Sequence, residues 1–294
     1  MHFGRTSSDS PRRHYSAHVS IMNSGSDAQV AIRAARAGAA VVRDMYGAKL
    51  ARVEKSAGDF ATAADIEAEK AILNVLRTAR PDDGVTGEES GSTGAHDARR
   101  RWLVDPLCGT LNYAVHSKLV AVNVALCVAT ETTAAASADP FTDEVFWTDG
   151  SRAYVGRGRD AYEENAEDEA DEELVPSPAS RLVDINLDPP FPNAPTFLAA
   201  RLLADPAFAE RFRPRVLSTT LAVAWVAAGR RAAYVTDGDL RESVHFAAGI
   251  ALCQAAGCVV TDLRNQPPHS GKGGLIVAAD HDTHAALLKM IGRI

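Results

Sequence analysis

Residues 102–113 read Trp-Leu-Val-Asp-Pro-Leu-Cys-Gly-Thr-Leu-Asn-Tyr. Three apolar residues run into an aspartate, then a proline, then Gly-Thr. This order predicts a buried strand that ends in a turn with polar groups at its mouth. Pro106 has no N–H and fixes φ, so the strand is expected to stop at Asp105. Gly109 lets backbone approach a ligand closely, and Thr110 is placed to cap a short following helix. A helix start beside a carboxylate can hold an anion and a cation side by side. Taken alone, the same residues also describe a capped strand–turn–helix with no chemistry.

The rest of the chain limits the options. At 294 residues it is long enough for a large core and two lobes. Its 46% hydrophobic and 23% charged content is ordinary for a soluble globular protein. No apolar run reaches the roughly 18 residues of a membrane helix, so no membrane role is expected. Residues 1–25 mix Ser, Arg and His without an apolar core and read as a disordered leader rather than a signal peptide. Cys108, Cys127, Cys253 and Cys258 show no CxxC spacing, which fits a reduced, cytoplasmic setting. The formal charge of −7 resides in one place: residues 160–173 hold nine acidic residues and no basic one. That run reads as a solvated, low-complexity insertion on a nearly neutral body, with no nucleic-acid surface. Arg99–Arg101 reads as a solvated hairpin tip.

In chain order, Ser26–Tyr46 predicts a helix capped by Ser26 or Asp27 and ended by Gly47. A polar loop with Lys55 and Asp59 follows. Thr62-Ala-Ala-Asp65 opens a second helix to Arg80, with Ile66, Ile72, Val75 and Leu76 as its apolar face. Pro81–Gly84 is a turn. Val85–Ser90 reads as a short strand ending in Glu88-Glu89, so only one of these carboxylates should face a shared site. Leu119–Ala129, Thr132–Ser137, Glu144–Trp147 and Ala153–Val155 read as strands. Beyond the acidic run, strands at Arg181–Asn186, Ala232–Thr236, Val259–Asp262 and Gly274–Ala279 alternate with helices. Those helices are expected at Thr196–Leu203, Phe208–Phe212, Ser218–Gly229, Val244–Ala256 and Thr283–Ile291. An α+β lobe over 26–178 followed by an α/β lobe over 179–294 is implied.

Four separated segments now line up: Asp65 before a helix, Gly87-Glu88-Glu89-Ser90, Asp105-Pro-Leu-Cys-Gly-Thr110, and Val244-His245 followed after eleven residues by Gly257. In order and spacing the chain resembles the inositol monophosphatase superfamily of magnesium-dependent, lithium-sensitive phosphatases. The resemblance covers about residues 26–294 and implies a layered αβαβα sandwich. It also implies a small phosphate ester (inositol, sugar or nucleotide phosphate) as substrate, a place in a biosynthetic pathway, and a homodimer. Residue by residue, it implies a first Mg²⁺ on Glu88, Asp105 and the Leu107 carbonyl, with Thr110 and Asp65 positioning the attacking water. Gly109 and Thr110 would meet the phosphate.

The departures are as informative. Where the family carries two further aspartates for a second metal, this chain has Cys108 and His245. Together with Asp105 they suit Zn²⁺ or another soft ion, or no metal, rather than Mg²⁺. The same three residues also allow a second reading, in which Cys108 is a nucleophile for acyl transfer or condensation, with His245 as base and Asp105 as orienter. A third is a catalytically silent binding protein. In every reading Cys108, His245 and Asp105 should be spatial neighbours. Cys127 and Cys253 read as core, Glu89 as a solvent or supporting residue, and His116 as a loop residue that could touch substrate.

Overall fold

The computed structural model describes residues 25–48, 51–56, 59–94, 98–157, 171–187, 198–238, 240, 243–268 and 273–293. The expected leader, most of the acidic run and the start of the helix placed at Thr196 lie outside them. Helix α1 (Asp27–Asp44) begins in a capping box: the Ser26 hydroxyl takes the Gln29 N–H and the Gln29 side chain returns to the Ser26 N–H. Its small buried residues, Ala31, Ala34, Ala35 and Ala39, let a neighbouring helix approach closely. That neighbour is α2 (Ala63–Ala79), capped by Thr62. Between them, the stretch expected as a polar loop is a hairpin of β1 (Arg52–Ser56) and β2 (Asp59–Thr62).

Eight strands form the larger sheet. They are β3 (Gly84–Gly87), β4 (Gly91–Thr93), β5 (Arg100–Cys108), β6 (Ala121–Val128), β7 (Glu131–Ala138), β8 (Glu144–Thr148), β9 (Ala153–Arg157) and β10 (Glu172–Glu173). The order is β10-β9-β8-β7-β6-β5-β3-β4, antiparallel except where β3 runs parallel to β5. Helix α3 (Thr110–Ala114) follows β5. The second sheet has the order β12-β11-β13-β15-β14, from β11 (Leu182–Ile185), β12 (Arg213–Val216), β13 (Ala233–Thr236), β14 (Val259–Thr261) and β15 (Leu275–Ala278). Helices α4 (Leu198–Leu202), α5 (Pro206–Arg211), α6 (Leu221–Ala227), α7 (Ala247–Ala255) and α8 (His281–Ile291) complete the described elements.

Strand alternation explains the layering. On β6, Val122, Val124 and Leu126 join the core under α1 and α2, while Ala121 and Ala125 face the other way, toward α6 and α7. On β13, Tyr234 faces that middle helical layer, and Ala233 and Val235 face α4, α5 and α8. The result is the expected αβαβα sandwich. Among the described residues no helix is long and apolar enough to cross a membrane.

Several local expectations are corrected. The strand does not stop at Asp105. β5 runs on to Cys108 because its pairing with β6 shifts register between Asp105 and Cys108, and Pro106, without its N–H, falls in that irregularity. Thr110 does not cap α3; Gly109, at φ +99°, holds that position, and Thr110 is the first helical residue. Arg100 and Arg101 are in β5 rather than at a hairpin tip, and Arg100 pairs with Asp27 and Asp83. The end of the acidic run is exposed as expected but is not loop: Glu172 and Glu173 pair with β9, and Asp171 accepts from the Trp147 indole. The helix expected from Val244 begins only at Ala247, which leaves His245 in the preceding turn. The helix expected over Ser218–Gly229 is shorter, at Leu221–Ala227. β12, in a stretch the sequence patterns leave unassigned, is an edge strand.

One ion cluster ties the larger sheet to the middle helical layer. Glu144 on β8 is buried and accepts from Arg230, just beyond α6, at 2.6 and 2.7 Å, and from Arg157 at 2.6 Å. Arg230, and then Arg157, hold the Glu144 carboxyl below its usual range against the opposing effect of burial. A depressed carboxylate contributes stability above its ordinary pKa of 4.5 and loses it as pH falls through the folded value. Glu144→Gln should therefore cost about 1.5–3 kcal/mol at neutral pH. Thermal melts should show the gap between wild type and variant closing below about pH 4.5; a gap that stays constant on acidification would contradict this account.

Candidate active site

β5 delivers three site groups within four residues. Asp105 is fully buried, and its Oδ1 accepts the Leu107 N–H at 3.1 Å. Its Oδ2 lies 2.8 Å from Nδ1 of His245, brought from the turn before α7. Glu88 Oε2 lies 4.0 Å from the same nitrogen, so both carboxylates of the expected first metal set converge on one point. Cys108 completes the group: one donor atom each from Asp105, Cys108 and His245 lie within 4.8 Å of one another. The Cys108 sulfur accepts the Thr220 N–H at 3.4 Å. The expected proximity of Cys108, His245 and Asp105 is thus present in the fold.

The second half of the site is joined through Leu107. Its carbonyl lies 3.2 Å from Thr110 Oγ1, which donates to Asp65 Oδ1 at 2.8 Å. Asp65, also fully buried, uses Oδ2 to accept the Thr62 N–H and hydroxyl at 2.7 and 2.6 Å. The hydroxyl that caps α2 therefore also fixes the aspartate. Gly109, between Cys108 and Thr110, has no room for a side chain: a Cβ would stand 2.9 Å from the Leu119 carbonyl oxygen.

Glu88 and Glu89 depart from expectation. The strand ends at Gly87, so the two carboxylates sit in a turn and the alternation rule does not separate them. Lys55 on β1 donates to both, at 2.9 Å to Glu88 and 2.6 Å to Glu89. Only Glu88 also reaches toward His245 and Asp105. Glu69 holds this turn by accepting the Glu89 and Ser90 N–H groups, each at 2.8 Å.

Buried charge sets the protonation states. Burial, then the Asp105 charge, pushes Glu88 up to about 8 despite His245 and Lys55. Burial raises Asp65 against the hydrogen bonds of Thr62 and Thr110. For His245, burial disfavours the cation, but Asp105, Cys108 and Glu88 outweigh it and hold the ring well above its usual range. Lys55 is likewise held above its ordinary value, its partners Glu88 and Glu89 overcoming burial. Burial and Asp105 push the Cys108 thiol up, more than His245 and the Thr220 N–H draw it down. Burial and the Asp105 charge thus favour the neutral thiol, while His245 and the Thr220 N–H pull toward the thiolate that a nucleophilic Cys108 requires.

Lys55, Glu69, Thr220 and Asn123 were not identified from sequence. Glu69 had a signal: with Asp65 it occupies positions i and i+4 on the face that carries Ile72 and Leu76, an acidic pair on an apolar stripe. Lys55 had none, as a single lysine in a polar stretch. Thr220 and Asn123 act across the fold. Asn123, opposite Asp105 in the β5–β6 register, donates to the Thr220 hydroxyl at 2.8 Å and accepts from Ser137 at 2.8 Å. Asp237 accepts the Leu198 and Ala199 N–H groups and caps α4. His116 is exposed and lines a cavity of about 300 Å³ with Arg52, Thr62 and Tyr113. Cys253 is core as expected; Cys127 is only half-buried.

The sequence profile described as "Inositol monophosphatase family" matches residues 25–294. An inositol-1-monophosphatase of Caulobacter vibrioides is 31% identical over 248 residues, 81% of this chain and 89% of that protein. A Nus factor SuhB of Vibrio cholerae is 28% identical over 88% of this chain and 93% of that protein. Among solved structures, the extragenic suppressor protein suhB of Bartonella henselae superposes with a TM-score of 0.76 at 27% identity, covering 90% of this chain and 97% of the other.

The Gly87 turn makes a direct test of the site's scaffold. A Cβ on Gly87 would stand 2.6 Å from the buried Glu69 carboxyl carbon. Gly87→Ala should cost about 2–4 kcal/mol in urea unfolding, because Glu69 must leave the two N–H groups it holds. In the Glu69→Ala background the same change should cost clearly less, a coupling readable as a double-mutant cycle. Additive costs would show that the clash is not the cause.

Proposed function

Because the chain belongs to the inositol monophosphatase family, a family of phosphatases that generally use Mg²⁺, we propose that it hydrolyses a small phosphate monoester at this cluster. The supporting observation is that Leu107 stands between the two halves, its carbonyl 3.2 Å from the hydroxyl of the Thr110–Asp65 pair and its N–H bonded to Asp105. It keeps a water-positioning pair in fixed relation to the carboxylates. The substrate class is an inositol, sugar or nucleotide monophosphate.

The donors suit a hard ion. Glu88 and Asp105 converge on one point, already shared with a cationic ring, and the Leu107 carbonyl adds a third oxygen. Mg²⁺ held by these three would supply positive charge to the phosphate and to the attacking water. The remaining work falls to the chain. Thr110 donates to Asp65 and so can accept a proton from water through its free lone pairs. As water oxygen bonds to phosphorus, that proton passes to Thr110 and the hydroxyl proton passes to Asp65, whose raised pKa favours taking it. Gly109 and Thr110 open α3, where N–H groups have no intrahelical carbonyl, and face the phosphate oxygens in this reading. On the leaving side, the ester P–O bond breaks and His245 gives a proton to the departing alkoxide, standing in for the second cation that oxygen donors at positions 108 and 245 would hold.

Asp65→Asn should lower kcat on the best monoester by about 10²–10⁴-fold while KM changes little. Phosphate release with Mg²⁺ and its loss with a chelator are the primary readouts; no release from any of the three ester classes would refute the proposal. The double substitution Cys108→Asp with His245→Asp, which restores oxygen donors at both positions, should raise Mg²⁺-dependent turnover. An unchanged or lower rate in a folded variant would show that the sulfur and imidazole belong to the native reaction.

A further inference from the structure

We infer that Asp105, Cys108 and His245 form a binding site for a thiophilic divalent ion of the Zn²⁺ class, separate in its selectivity from the oxygen-lined Mg²⁺ position. Among the described residues these three are the group of His, Cys, Asp and Glu side chains whose donor atoms lie close enough together to hold one ion. One sulfur, one imidazole nitrogen and one carboxylate oxygen match the common ligands of Zn²⁺. Two soft or borderline donors in three exclude Mg²⁺ and Ca²⁺, which require oxygen.

The geometry is close to what such an ion needs. Zn²⁺ takes sulfur at about 2.3 Å and nitrogen or oxygen at about 2.0–2.2 Å, so donors around a tetrahedral ion stand roughly 3.4–3.6 Å apart. The present upper separation of 4.8 Å requires a contraction of about 1 Å. The Asp105–His245 contact, at 2.8 Å, must instead open by about 0.6 Å as the ion replaces the shared proton. The surroundings support this set. The Leu107 N–H fixes Asp105 Oδ1 and leaves Oδ2 to the site. The Thr220 N–H points at the Cys108 sulfur, and Asn123 and Ser137 hold Thr220 in turn. The His245 side chain is 33% exposed, so solvent ions reach the cluster and a water or a substrate oxygen can complete the coordination. On binding, the thiol proton and the His245 Nδ1 proton leave to solvent, the sulfur bonds as thiolate, and the bound ion stands in for the imidazolium that protonates the leaving oxygen in the ion-free site.

Co²⁺ titrated into the full-length protein tests the site through its colour, without reference to turnover. The expected result is a thiolate-to-cobalt charge-transfer band in the near ultraviolet, with four-coordinate visible bands. Equimolar Zn²⁺ should abolish it and a large excess of Mg²⁺ should not. Cys108→Ser should remove the charge-transfer band, and His245→Gln should weaken Co²⁺ binding on the order of 10–100-fold. Cys108→Asp keeps a donor and should bind Co²⁺ without the band, which separates loss of sulfur from loss of fold. Absence of the band in wild type, its survival in Cys108→Ser, or its displacement by Mg²⁺ would overturn the assignment. A band without any Mg²⁺-dependent phosphate release would leave this ion site standing and count against the hydrolase reading alone.

Discussion

A carboxylate removed from water must be met by protein donors, and Asp105 is met from two sides. The Leu107 N–H comes from its own strand, and His245 comes from a turn 140 residues away in sequence. The second contact joins the larger sheet to the helix that lies between the two sheets. Leaving Asp105 buried without a partner would cost several kcal/mol, so the contact constrains where α7 can sit. The arrangement of the other polar groups depends on this pairing. Glu88 is drawn toward the same imidazole, Cys108 lies beside it, and Thr220 approaches the sulfur from the second half of the chain.

The charge pattern follows. Four carboxylates, Asp65, Glu88, Glu89 and Asp105, lie close together, and two of them are fully buried. Lys55 and His245 are the cations that offset them, one bridging Glu88 and Glu89 and the other between Glu88 and Asp105. Burial nonetheless keeps Asp65 above its ordinary pKa value, and burial with the Asp105 charge does the same for Glu88. Such an imbalance favours an arriving cation. The sulfur shares the negative environment and stays protonated.

Much of this was legible in the residues. The caps of α1 and α2, the αβαβα layering and the meeting of Cys108 with His245 follow from local patterns and from four motifs in fixed order. What was missed has a common cause. Propensity describes a strand by its own residues, but β5 passes Pro106 because its pairing with β6 resumes at Cys108. Thr110 is a good capping residue, yet its hydroxyl is taken by Asp65 from another helix. Lys55 gains its role only when the hairpin folds over the Glu88 turn. Arg100 is paired and half-buried because Asp27 and Asp83 stand beside it in space, not in sequence. In each case a distant partner decided the conformation.

The slipped register in β5 has one further consequence. In an even ladder, residues three apart point to opposite faces of a sheet, so Asp105 and Cys108 would be strangers. The irregularity between them turns both toward His245. Convergence is therefore a property of the main chain: one kinked strand fixes where two donor groups meet, before the chemistry of either side chain is chosen.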